Sequence, residues 1–114
     1  MVKALYSTDQ VGFANLLALT PIVPDATVSK PLVNSDALRQ VVFAMDKGQI
    51  ISEHRAPFVV VVQVLDGELD FTVDGQTRRL AAHDWLVMPP NKPHDLDAVL
   101  PTRFLLTMVK EHTA

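Results

Sequence analysis

Residues 58–75 read FVVVVQVLDGELDFTVDG. Phe58 to Leu65 is mostly β-branched, which suits the pleated surface of a strand. Pro57 bounds the run on one side and Asp66–Gly67 on the other. Asp-Gly between apolar runs signals a two-residue hairpin, because glycine supplies the positive φ of a primed turn. The expected partner strand is Glu68 to Val73. Its Leu69, Phe71 and Val73 fall on one face and its Glu68, Asp70 and Thr72 on the other, the period of a half-buried strand. Asp74–Gly75 repeats the hairpin signal, and Gln76 to Leu80 follows as a polar outer strand. The first run does not alternate, so both of its faces are predicted to be buried. One face belongs to the interior. The other needs a cover, either the N-terminal stretch Leu16 to Leu32 or a second subunit.

Outward from this stretch the same pattern continues. Leu38 to Met45 reads as a strand whose Val41, Phe43 and Met45 share a face. Lys47–Gly48 is a turn, and Gln49 to Arg55 leads into another strand. Trp85 to Met88, Asp95 to Val99 and Arg103 to Val109 complete the set. Windows 32–56 and 58–88 hold no proline, so sheet ladders can run through them with every donor intact. Short strands at this spacing predict an all-β barrel or sandwich. Ser7 with Gln10 fits a capping box and predicts a short helix from about Thr8, which Gly12 weakens by about 1 kcal/mol relative to alanine.

The chain has 114 residues, one domain's worth. It has no cysteine, which excludes a disulfide scaffold, a thiolate metal site and a thiol nucleophile. Ten basic residues stand against 13 acidic ones with no basic run, so no nucleic-acid partner is expected. Val11 to Val23 is fairly apolar but is interrupted by Asn15 and Pro21. It falls short of the roughly 18 apolar residues of a membrane span and lacks the basic start of a secretory signal. No membrane partner is expected, and the expected location is the cytoplasm. With four glycines, none clustered, phosphate-cradling loops are excluded.

Two further stretches carry a resemblance. Gly48 stands six residues before His54, and Gly67 follows thirteen residues after that histidine. Pro89 stands five residues before His94 in Asp84-Trp-Leu-Val-Met-Pro89-Pro-Asn91-Lys-Pro-His94. This resembles the cupin superfamily, whose first motif is G-x5-H-x-H, then three or four residues, then E-x6-G, and whose second is G-x5-P-x-G-x2-H-x3-N. Ser52-Glu53-His54, Pro57, Gln63-Val-Leu-Asp-Gly67 and Pro93-His94 are similar to a subgroup of small bacterial cupins with no settled activity. The resemblance implies a double-stranded β-helix (a cupin or jelly-roll barrel) over 34–110. An N-terminal extension over 1–33 would pack on the barrel or on a partner, and a polar tail would span 111–114. It also favours a homodimer, for which a two-fold pair is the default.

The departures bear on chemistry. Ala56 stands in place of the second motif histidine and Val60 in place of the glutamate, so two of the four usual metal ligands are absent. His83 and Asn91 replace the two glycines of the second motif, and Ala98 replaces its asparagine. Asn91 is a mild change, since asparagine tolerates the left-handed region.

His54 and His94 are the candidate site residues. In the cupin register both point into one barrel mouth, with Val60, Val62 and Phe71 expected beside them in the pocket. One reading is a small-molecule binding barrel, an apolar pocket with two polar points. The alternative is a metal-dependent dioxygenase or isomerase with an incomplete site, in which His54 and His94 would hold one divalent transition metal (Zn, Fe, Ni, Cu or Mn). Metal-free acid–base catalysis by a histidine near Glu53 or an aspartate is a further option, as is a purely structural role. Gln63, Glu53, Arg55, Asp95 and Asp97 read as outward by alternation, His83 as a solvated turn residue and His112 as part of the tail. Trp85, Met88, Phe43, Phe71, Phe104 and Met108 read as core bulk.

Overall fold

A computed structural model describes residues 3–110; the expected tail 111–114, with His112, lies outside the described residues. Nine strands follow a four-residue helix, α1 (Leu16–Leu19). They are β1 (Thr27–Asn34), β2 (Leu38–Met45), β3 (Ile50–His54), β4 (Val59–Asp66), β5 (Glu68–Val73), β6 (Gln76–Ala81), β7 (Trp85–Met88), β8 (His94–Ala98) and β9 (Thr102–Val109). All pairings are antiparallel. One sheet runs β1-β2-β9-β4-β7 and the other β3-β8-β5-β6, and together they form a double-stranded β-helix.

Register shows which side chains meet inside. Opposite residues share a face, so the pairs Val60↔Met108, Val62↔Leu106 and Val64↔Phe104 carry the inner face of β4 across to β9. From β9 it passes to β2 through Arg39↔Met108, Val41↔Leu106 and Phe43↔Phe104. The second sheet answers with Leu69, Phe71, Leu96, Ala98 and Leu80, all buried. Phe43 and Phe104 stack with ring centroids 4.9 Å apart, which closes this end of the core.

Three sequence expectations change. The Asp66–Gly67 dipeptide is not a hairpin: β4 pairs with β7 and β9, while β5 pairs with β6 and β8 in the other sheet. Asp66 continues the strand, opposite Arg103, and Gly67 alone turns the chain from one sheet to the other at φ 87°. Asp74–Gly75 does make the two-residue hairpin, with φ 50° and 76° between Val73 and Gln76.

No helix starts at Thr8. The Ser7 hydroxyl accepts the Asp9 N–H instead, two residues on, and Gly12 lies against the Tyr6 ring, where a Cβ would come within 3.0 Å. The helix that does form is α1, capped by the Asn15 side chain accepting from Ala18 N–H.

Trp85 is not core. Leu86 and Met88 take the inner face of β7, leaving Trp85 59% exposed. Of the two covers expected for the outer face of the valine run, the N-terminal one lies elsewhere. The N-terminal segment lies over β1, β2 and β9, where outward Val42 and Ala44 are fully buried. Hydrogen bonds from Lys30 Nζ to the Leu19 carbonyl and from Arg103 Nη1 to the Leu17 carbonyl hold it there. The outer face of β4 is left half-open, with Val61 partly exposed and Gln63 exposed.

Residues 27–33, part of the N-terminal extension by sequence, join Asn34 in the edge strand β1 of the first sheet. Among the described residues no helix is long and apolar enough to cross a membrane.

Candidate functional site

His54 ends β3 and His94 opens β8, and the two are paired across the ladder. Their alignment depends on a bulge. Between Ile51 and His54 the ladder advances three residues on β3 against two on β8, which returns His54 to the inner face that Ile51 occupies. The two rings lie 4.1 Å apart between centroids, tilted by 59°. His94 is buried and stacks on Phe71 at 5.9 Å, whereas His54 is exposed at the mouth.

Each ring is fixed by its own chain. His54 Nδ1 lies 2.9 Å from the Ser52 carbonyl and His94 Nδ1 lies 2.8 Å from the Lys92 carbonyl. A carbonyl oxygen only accepts, so Nδ1 carries the proton in both rings. Neutral imidazole then keeps its lone pair on Nε2. Burial holds His94 below the ordinary histidine pKa, and the nearby His54 adds to this. The Lys92 carbonyl and Asp95 pull upward without cancelling it. At neutral pH His94 is therefore an uncharged acceptor at Nε2.

Two loops brace the rim beside the histidines. The Asn91 N–H donates to the Ala56 carbonyl at 2.7 Å, and Arg55 Nη1 donates to the Asn91 carbonyl at 3.0 Å. Asn91 adopts φ 65° and His83 φ 74°, so both replacements of the motif glycines keep the left-handed backbone that glycine would supply.

The rings open on a cavity of about 210 Å³ between the sheets, lined by Ser29, Arg39, Val41, Phe43, His54, Ala56, Val60, His94, Leu106 and Met108. Of the residues singled out by sequence, His54, His94 and Val60 lie on this wall. Val62 and Phe71 do not: both are fully buried in the core behind it, with Phe71 supporting His94 from below. Ser29, Arg39, Phe43, Leu106 and Met108 were not read as site residues. For Arg39 the signal was present, since it continues the Val41–Phe43–Met45 face by one step of two. The side chains that alternation turns outward are indeed elsewhere: Asp70, paired with Asp97 across the ladder, binds Arg79 on the outer face.

Ala56 and Val60 add carbon to the wall where the family has ligands. Among the described residues no three His, Asp or Glu side chains gather as a metal-binding group. The donor set at the mouth is two imidazoles, short of the three or four protein ligands of an ordinary transition-metal site.

The cupin-domain family profile matches residues 41–109. The chain belongs to the cupin family. Among solved structures this cupin is similar to a conserved protein of unknown function from Streptococcus pyogenes, at 32% identity over 98% of both chains with a TM-score of 0.85. It is also similar to a cupin superfamily protein from Desulfitobacterium hafniense, at 24% identity over 90% of this chain and 94% of that one, TM-score 0.82. A third likeness is to a putative mannose-6-phosphate isomerase from Ralstonia eutropha, at 22% identity over 89% of this chain and 100% of that one, TM-score 0.76. At that identity the last two speak for the fold alone. No curated protein matches the chain.

Proposed function

We propose that this cupin binds a small organic molecule in the barrel, with His54 and His94 as its polar contacts. The supporting observation is the pair of backbone-fixed imidazoles at the mouth of a cavity whose other walls include Val41, Phe43, Val60, Leu106 and Met108. Such concave, mostly apolar sites with a few convergent polar groups are the usual form of small-molecule pockets. The uncharged His94 Nε2 would accept a hydrogen bond from a ligand hydroxyl or N–H, and the carbon walls would hold its body. The test is native mass spectrometry of the tag-free protein and of its His54→Ala and His94→Ala variants. A bound mass lost in both variants, with folding retained, supports the reading. A bound mass retained in both overturns it.

One observation favours a second reading, a single divalent transition metal held by His54 and His94. Metal-bound histidine commonly donates its other ring N–H to a carbonyl, the arrangement both rings already have. Among the described residues only these two donors meet at the mouth. Elemental analysis of the same samples decides between the readings, since stoichiometric metal lost on either substitution would select the second.

We further propose that the protein is a cytoplasmic homodimer. The lack of cysteine suits a reducing compartment. Outward Val61, Gln63, Trp85 and Val87 form a face of β4 and β7 without charge, which can meet its own copy across a two-fold axis without repulsion.

A further inference from the structure

We infer that the ligand of the barrel is an anion, a small carboxylate with an apolar body, and that Arg39 receives its carboxylate at the mouth. This rests on the binding reading above and goes beyond it by naming the ligand's charge and the residue that selects it. Arg39 lies on the inner face of β2, opposite Met108, and lines the cavity with both histidines. Its side chain is exposed at the rim.

The other four arginines are all engaged. Arg55 donates to the Asn91 carbonyl, Arg78 to Gln76, Arg79 to Asp70, and Arg103 to Asp66. Arg39 makes no hydrogen bond or ion pair among the described residues. The cavity wall holds no Asp or Glu, although the chain carries net charge −3. A guanidinium with no acid partner, on a cavity wall without a carboxylate, is an uncompensated positive site within an acidic protein, and it draws small anions.

The geometry favours a carboxylate. One planar fork of N–H donors matches the two oxygens of one carboxylate. His94, whose Nδ1 is held by the Lys92 carbonyl, offers Nε2 as an acceptor, and Ser29 Oγ adds one hydroxyl. Beyond the rim and the two imidazoles the wall is carbon, from Val41 and Phe43 to Leu106, so the part of the ligand that lies against it is apolar.

The experiment compares two shape-matched probes, 4-methylpentanoate and 4-methylpentanamide, titrated into the full-length protein. Binding is read from the His54 and His94 imidazole proton resonances. The acid is expected to bind about tenfold tighter than the amide, the scale of one charge-assisted pair. Raising salt should narrow the gap, because the contact is at the rim. Arg39→Gln should bring the two probes together, with unchanged spectra in the absence of probe showing that the variant is folded. Arg39→Lys should keep part of the preference, as a charge without the fork.

Equal binding of acid and amide to the wild type overturns the inference and leaves the binding reading standing. An acid preference that survives Arg39→Gln overturns the role of Arg39. Failure of both probes to move either imidazole counts against the binding reading itself, and this inference falls with it.

Discussion

His94 ties the chemistry of the site to the stability of the barrel. Burial holds its pKa below 6.5 in the folded chain, while the unfolded chain titrates at the ordinary value. As pH falls, the unfolded chain takes up the proton first. The contribution of neutral His94 is fully present above the ordinary value and is lost as pH drops through the folded one. Denaturation midpoints taken from about pH 7.5 down to about pH 5 should fall in the wild type. They should fall less in His94→Gln, and an equal fall in both would assign the effect elsewhere. Among the groups facing it, His54 opposes protonation and Asp95 favours it, so His54→Gln should make the fall shallower than in the wild type. Individual side chains were legible where a spacing rule placed them. That spacing placed His54 and His94 together, and Arg39, which lines the same cavity, went unread because a charged residue at the end of a strand reads by default as solvated.

At the level of elements, one dipeptide occurs twice with two outcomes. Asp74–Gly75 turns a hairpin, and alanine at Gly75 would meet open space, so only its positive φ is at stake. Gly67 turns a corner between sheets. A Cβ there would fall 2.2 Å from the Pro101 carbonyl oxygen and 2.5 Å from Thr102 Oγ1. Thr102 is fully buried and its hydroxyl accepts the Glu68 N–H, so neither neighbour can withdraw cheaply. Gly67→Ala should cost about 2–4 kcal/mol, left-handed strain plus overpacking, against about 1 kcal/mol for Gly75→Ala. Urea unfolding of the two variants checks the order, and comparable losses would contradict the corner assignment. The sequence could not separate these cases, because what makes Gly67 a corner is the contact with residues 101–102, far along the chain. The strands from Leu38 onward were legible to within a residue or two, since their composition and bounding turns are local, whereas β1 was not read as a strand. The helix near Thr8 failed for the opposite reason: a capping pattern is short, and the Tyr6–Gly12 contact outweighs it.

For the whole molecule, the N-terminal segment and the valine run divide the outer surface between them. The segment shields β1, β2 and β9, with Arg103 bound to Asp66 at 2.5 Å and reaching the Leu17 carbonyl from the same guanidinium. The face of β4 and β7, with Trp85 and Val87 exposed, is the one a second copy would shield. Sedimentation should show a dimer for the wild type and a monomer for Trp85→Glu, which sets like charges against each other at the two-fold axis. A monomeric wild type would reject the dimer. The cavity also spreads beyond the residues that the family profile matches. Ser29 comes from β1 and Arg39 from the start of β2, while the family profile begins at residue 41. A chain trimmed to the shared barrel would keep both histidines and lose one wall of the chamber with its only guanidinium. A survey of variants confined to residues 41–109 would leave two cavity-lining side chains, Ser29 and Arg39, untouched.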